Sequence, residues 1–152
     1  MRDSIRSLIG YGVALAMAGM TPYAAERNKA MELTSNAFAP FTDIPSQHTC
    51  EGSDQSPPLA WSGVPAGTQS LALIVDDPDA PDPAAPKMTW VHWVLYNIPP
   101  ATAGFATGQS HLSDLPPGTR EGLNDWQRTG YGGPCPPIGR HRAFGVGPER
   151  QL

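Results

Sequence analysis

Two stretches of this chain gather the residue types that do chemistry. The first runs Asp77-Pro78-Asp79-Ala80-Pro81 and continues to Trp90-Val91-His92. The second runs from Gly130-Tyr131-Gly132-Gly133-Pro134-Cys135 through Pro136-Pro137-Ile138-Gly139 to Arg140-His141-Arg142. Each joins Pro/Gly turns, which fix the path of the chain, to acids or a histidine. An aspartate at a strand end can bond one ring nitrogen of a histidine and fix its tautomer, leaving the other nitrogen to face a ligand. The acidic cluster of Asp76, Asp77 and Asp79 stands in that relation to His92. The plainer reading of the acids is a turn, since Asp and Pro dominate turns. Before His141, fixed and free φ alternate, which predicts a concave turn whose backbone N–H groups attract anions. There is no Gly-Lys-Ser/Thr and no GxGxxG, so neither a P-loop nor a dinucleotide fingerprint is present.

The elements that must hold these residues read as short strands separated by turns. Leu33 and Phe38 anchor an early strand, and Leu59–Ser62 forms a brief one before the turn at 63–68. Ser70–Asp76 is a continuous apolar run bounded by turn signals, the pattern of a strand buried on both sides. Residues 77–88 read as a Pro/Asp loop. Thr89–Ile98 is rich in β-branched and aromatic residues, again a strand. Its alternation puts His92, Val94 and Tyr96 on one face and Val91, Trp93, Leu95 and Asn97 on the other. Residues 101–133 carry no helical period, and a loop that long in a compact domain is usually functional. A last strand from His141 to Val146 is cut off by Gly145, Gly147 and Pro148. The expected fold is an all-β antiparallel sandwich.

Composition sets the limits. A chain of 152 residues is one domain at most. Gly 16 and Pro 18 fall between apolar runs and not in one block, which suits many turns. Residues 1–25 have a basic start, an apolar stretch over Leu8–Met20 and a turn-like end at Ala24-Ala25, the plan of a secretory signal peptide. The apolar stretch is too short to favour a permanent membrane span. Periplasmic or secreted localisation follows, or cytoplasmic if translation begins at Met31. From Met31 onward, six basic residues face twelve acidic ones. That excess disfavours non-specific nucleic-acid binding and adhesion to an anionic membrane surface. Cys50 and Cys135 are too far apart for a metal knuckle; in an oxidising compartment they could form a disulfide, and otherwise they are two free, partly buried thiols.

On these residues the chain resembles the phosphatidylethanolamine-binding protein family, in its bacterial, Raf-kinase-inhibitor-like branch. The motifs that carry the resemblance are Ser56-Pro57-Pro58-Leu59 with Trp61, Ser70–Pro81, Trp90-Val91-His92-Trp93, Asn124-Asp125 and Arg128–Arg142. It covers about residues 31–142. The resemblance implies a β-sandwich with a small anion pocket at one end of the sheets. It places Asp77, Asp79, Trp90, His92, Tyr131, Gly133, Pro136, Pro137 and His141 at that pocket. Asp77 would orient a histidine, His92 and His141 would donate to the anion, and Trp90 and Tyr131 would wall it. Residues 143–152 do not match the family: Ala143 replaces a tyrosine, and the further strands and C-terminal helix of the family are missing. That implies a C-terminally truncated domain with an open sheet edge and an uncovered core face, hence an unstable product.

The leading functional expectation is a module, not an enzyme, that binds a small anion such as phosphate or a phosphorylated headgroup, with no cofactor. Its affinity should rise as pH falls through about 6.5, where an unperturbed histidine charges. A metal-dependent hydrolase built on the two histidines and a carboxylate is the alternative. Against it, no HxxxH or HxH spacing occurs and no glutamate is placed as a base. A third reading is an inhibitor that offers residues 101–123 to a kinase or protease. A fourth is a non-functional truncated product.

Overall fold

A computed structural model describes residues 31–142 and the backbone of 145–148. The expected signal peptide at 1–25 lies outside the described residues, as do Ala143, Phe144 and 149–152 of the tail. Seven strands form two antiparallel sheets: β1 (Glu32–Thr34), β2 (Leu59–Ser62), β3 (Leu71–Ala80), β4 (Met88–Ile98), β5 (Gly104–Phe105), β6 (Arg120–Glu121) and β7 (Gly145–Pro148). One sheet has the order β1-β2-β5 and the other β6-β4-β3-β7. Two single 3-10 turns, Ser46–His48 and Leu112–Asp114, are the helical pieces among the described residues. The chain is thus an all-β sandwich, as its turn-rich strand pattern requires.

The core lies between the sheets. Leu59, Trp61 and Phe105 face Leu71, Leu73, Val75, Trp93, Leu95 and Ile98, with Leu115 and Tyr131 closing the cluster. Trp61 meets Phe105 edge-on at 5.2 Å between ring centroids, and Trp93 meets Tyr131 edge-on at 5.8 Å. Burying each such side chain stabilises the fold by about 1.5–3 kcal/mol, and the rings add orientation to that.

Several expectations need correction. β3 is not buried on both sides: Leu71, Leu73 and Val75 are fully buried, but Ile74 between them is 45% exposed. Only one face of β3 looks into the sandwich, so its alternation is real even though the residues are all apolar. Residues 77–88 are not one loop either, because β3 runs to Ala80 and β4 starts at Met88. The ladder continues through the acidic motif with Asp77 opposite Trp90 and Ala80 opposite Met88. Finally, residues 145–148 do form a strand. β7 pairs with β3 from Leu71–Pro148 to Ile74–Gly145. β7 is at the edge of the described sheet, the place where glycine and proline are tolerated in strands. The inner face of the sheet is covered, since Trp93, Leu71, Leu73, Leu95 and Ile98 are all at 0% exposure.

Two irregularities in the β3–β4 ladder position the site. Val75 pairs with Trp93 but Asp76 pairs with Val91, so His92 is an extra residue on β4. A bulge of this kind breaks the strict alternation and re-aims side chains. That is why neighbouring His92 and Trp93 are both buried, contrary to simple parity. On β3, Pro78 and Asp79 together oppose one residue of β4, between the pairs Asp77–Trp90 and Ala80–Met88. The result is that Asp77, Asp79 and Ala80 are all buried.

Candidate functional site

His92 is 2% exposed. Its Nδ1 lies 2.8 Å from the Gly132 carbonyl, and the Gly132 N–H donates back to the His92 carbonyl at 3.1 Å. A carbonyl only accepts, so Nδ1 carries the ring proton. Nε2 is buried and has no hydrogen-bond partner among the described residues. Burial holds the His92 pKa below the ordinary histidine value, only partly opposed by the Gly132 bond and by the charges of Asp77, Asp125 and Asp76. The neutral ring is therefore the favoured form at pH 7.

The wall behind His92 is built by one residue to which no role was assigned from the sequence. Asn124, 2% exposed, donates from Nδ2 to the carbonyls of His92 and Gly130. Its Oδ1 accepts from the N–H groups of Trp126 and Arg128. Beside it, the Asp125 carboxylate accepts the Val91 N–H at 2.6 Å. This turn carries Trp126 up against the site. Its ring meets Trp90 edge-on at 5.3 Å and His92 at 5.3 Å, and the Arg128 guanidinium sits 5.6 Å from its centroid. The only sequence signal for Asn124 was its place in an Asn-Asp pair; its bonds span up to 32 residues and are invisible to local patterns.

Gly133 needs to be glycine. A Cβ there would lie 2.5 Å from Asp54 Oδ1, 2.7 Å from the His48 carbonyl oxygen and 2.8 Å from Thr49 Cα. Its N–H donates to Asp54 at 2.6 Å. Tyr131 is a core residue rather than a lining one: it is 7% exposed and its hydroxyl donates to the His48 carbonyl at 2.7 Å. Burial raises its pKa well above the usual phenol value. Cys50 and Cys135 form a disulfide, which joins the 46–55 loop to this wall.

Asp77 serves His141, not His92. Its Oδ2 is 2.5 Å from His141 Nδ1, while its Oδ1 accepts the Asp79 N–H at 2.8 Å. His141 Nε2 faces the Ile138 carbonyl at 3.0 Å. Both ring nitrogens therefore point at acceptors, the arrangement of a charged imidazolium. Burial lowers the His141 pKa, but the bond to Asp77, its charge and the Ile138 carbonyl outweigh that, and the net shift is upward. Asp79 is likewise occupied: Arg142 reaches it with Nε at 2.9 Å, Nη2 at 2.6 Å and its backbone N–H at 2.9 Å. These Arg142 bonds hold the Asp79 pKa down at about 2. Pro136 and Pro137 are exposed on the segment between the disulfide and His141.

The nine residues singled out from the sequence thus sort by what they touch. Asp77, Trp90, His92 and His141 come together, with Trp90 directly across the ladder from Asp77. Asp79 and Gly133 support the walls, Tyr131 is in the core, and Pro136 and Pro137 shape the connecting segment. Among the described residues, no three of His, Cys, Asp and Glu are grouped to hold a metal ion, and no helix is long and apolar enough to cross a membrane.

The comparisons with known proteins agree with this architecture. The model of the family described as "Phosphatidylethanolamine-binding protein" matches residues 34–145. A UPF0098 protein of Methanothermobacter thermautotrophicus is 48% identical over 114 residues, which cover 75% of this chain and 72% of that protein. UPF0098 protein YbcL of Escherichia coli is 41% identical over 118 residues, covering 72% of this chain but 62% of that one. Its crystal structure, described as a new member of the mammalian PEBP family, superposes with a TM-score of 0.67 at 37% identity, covering 76% of this chain and 74% of that one. The Chlamydia trachomatis homologue CT736 gives 0.65 at 40% identity, covering 75% and 71%. Sandwich, motif order and these likenesses agree: the chain belongs to the phosphatidylethanolamine-binding protein family.

Proposed function

We propose that this protein is a binding module for a small anion, phosphate or a phosphorylated headgroup, and not a catalyst. The observation that carries the reading is His92 Nε2, a polar atom buried without a partner among the described residues. Unpaired buried polar atoms are destabilising, by about 1–3 kcal/mol each, and native folds keep them mainly where a ligand, water or reaction uses them. The surrounding side chains support it. Trp90 and Trp126 offer aromatic surface beside the ring, and Asp77, Asp125 and His141 already bond other groups of the protein. Nε2 exposes less than 1 Å², so a ligand reaches it by displacing a neighbour. Trp126, whose ring meets His92 at 5.3 Å, is 38% exposed and lies at the surface.

Calorimetric titration of inorganic phosphate and of phosphoethanolamine into the wild type and into His92→Ala tests this. Binding by the wild type and a loss of tenfold or more in the variant is the expected result. Equal affinity in the two proteins, with the variant shown to melt cooperatively, would remove the basis for the reading. Export supports the same role, since a signal-like segment at residues 1–25 would deliver the module outside the cytoplasm. Fractionation of expressing cells checks it: recovery of the uncleaved chain in the cytoplasm alone would refute export.

A further inference from the structure

We propose that at neutral pH this site takes an oxyanion that brings its own proton, hydrogen phosphate in preference to sulfate, with the P–OH group donating to His92 Nε2. The inference rests on the anion-site reading above and adds a rule about which anion fits.

The rule comes from the ring's geometry. Nδ1 is committed as a donor to the Gly132 carbonyl at 2.8 Å. A neutral imidazole has a single N–H, so Nε2 presents a lone pair. Asn124 reinforces this by bonding the backbone carbonyl of His92 and that of Gly130, which holds the strand and the wall in place on both sides of the Nδ1 bond. A fully deprotonated oxyanion would aim lone pairs at a lone pair. Neither partner would regain the bonds it left in water, and an unmade buried bond to a charged group is costly. An anion with a hydroxyl avoids that conflict by donating to Nε2.

The charges around the ring fit this assignment. β3 contributes Asp76 and Asp77, and the turn after β6 contributes Asp125 and Arg128. Two of the three carboxylates already serve other donors. Asp77 takes His141 and the Asp79 N–H, and Asp125 takes the Val91 N–H. Arg128 lies over Trp126 and 3.8 Å from Asp54. His141, which sits against the Asp77 carboxylate, spends both nitrogens on it and on the Ile138 carbonyl. The bonds of Asp77, Asp125 and His141 all run to other protein groups, and the Arg128 guanidinium is drawn to Asp54 and the Trp126 face, so the proton at Nε2 is best supplied by the ligand or by acid.

Two ligand sources share the chemistry. Inorganic phosphate keeps a hydroxyl throughout the neutral range, and a phosphate monoester keeps one below its second pKa of about 6. A sulfate ion has the same tetrahedral shape and no proton to give. Titration of phosphate, phosphoethanolamine and sulfate at pH 7.5 and pH 5 separates them. At pH 7.5 phosphate is expected to bind about tenfold or more tighter than sulfate, the size of one hydrogen bond to a charged group. At pH 5 the gap narrows, because protonation of Nε2 turns it into a donor that sulfate accepts. Phosphoethanolamine tighter than phosphate at pH 5 would identify the headgroup as the source, and the reverse order the free ion. Nitrogen NMR of the histidines adds a readout independent of affinity: at pH 7.5 Nε2 of His92 should carry no proton. Sulfate binding as tightly as phosphate at pH 7.5, or a protonated Nε2 there, would overturn the proton rule and leave the anion site standing. Failure of all three anions at both pH values would overturn the anion reading and this proposal with it.

Discussion

Residues 130–135 and residues 136–142 are consecutive in the chain, each meets one histidine of the site, and they are held by opposite means. The first segment is a wall. Gly130, Tyr131, Gly132 and Gly133 are buried and tied by backbone carbonyls and N–H groups, by Asn124 and by the Cys50–Cys135 disulfide. The second is an arm. Pro136–Arg140 are exposed, and the arm is fastened to β3 by charge, His141 to Asp77 and Arg142 to Asp79, with Arg140 bonded to Asp43. Apart from the Gly133 N–H on the Asp54 carboxylate, the wall's bonds join uncharged groups, which pH barely touches, whereas the arm's ion pairs titrate. Burial in the wall favours the neutral His92 ring and the Gly132 carbonyl fixes its tautomer, while the arm is fastened by ion pairs that acid and base act on directly. A histidine that must offer a lone pair to a ligand is better placed against the wall.

The contrast breaks most severely at the disulfide. Its sequence separation is 85 residues, and closing a loop of that size stabilises a fold by about 4–5 kcal/mol in the chain-entropy model. Cys50→Ser with Cys135→Ser should lower urea stability on that scale. A loss under about 1 kcal/mol would mean that the wall stands without its crosslink. Asn124→Ala comes next, with an expected loss of about 3 kcal/mol, because it strands several backbone groups in a buried site. It should also free the His92 ring, visible as doubled or broadened imidazole resonances. An unchanged spectrum would show that Gly132 alone fixes the tautomer.

The arm is broken by pH, and the two histidines pull in opposite directions. His141 has a raised pKa, so its contribution is fully present below about 6.5 and is lost as pH climbs through the raised value. His92 has a lowered pKa, so the unfolded chain takes up its proton first. The fold is then free of that penalty above about 6.5 and weakens as pH falls below it. Asp79, lowered from 3.8 to about 2, holds the arm above pH 3.8 and lets go as pH drops toward 2. Amide exchange at Arg142 should therefore be slowest at mildly acidic pH and speed up on both sides. Monotonic exchange, after correction for intrinsic rates, would show that these pairs do not hold the arm.

Much of this arrangement was open to inspection in the residue order. The strand at 59–62 and the aromatic run ending at Ile98 follow from β-branched and aromatic alternation, and the Pro/Gly punctuation separates them correctly. The gathering of Asp77, His92 and His141 follows from the family resemblance that their motifs carry. The choice of partner for Asp77 does not. Nearness along the chain favours His92, but the extra residue in β4 turns that ring toward Gly132, 40 residues away. A bulge has no signature in a run such as Trp-Val-His-Trp. Nor does Tyr131, whose amphipathic ring suits a pocket wall as well as a core. Its place is decided by Trp93 and the His48 carbonyl, 83 residues distant. For the same reason an apolar β3 hides which face is covered until the second sheet is in place.

The mildest test asks whether charge alone is enough to hold the arm. Arg140 and Asp43 form an ion pair in the same segment as the His141 and Arg142 contacts, but their side chains are 75% and 79% exposed. Water screens such a pair, and ordering two mobile side chains offsets what attraction remains. His141 and Asp77 differ in burial, with side-chain exposures of 4% and 9%. Arg140→Ala should therefore cost about 0.5 kcal/mol or less and leave the Arg142 exchange profile where it was. His141→Gln, which keeps a donor but loses the charge, should speed exchange at Arg142 and flatten the alkaline branch of the profile. If Arg140→Ala loosens the arm as much as His141→Gln does, then burial is not what distinguishes the two contacts. The arm would instead be a single surface charge network, and added salt would release it as a whole.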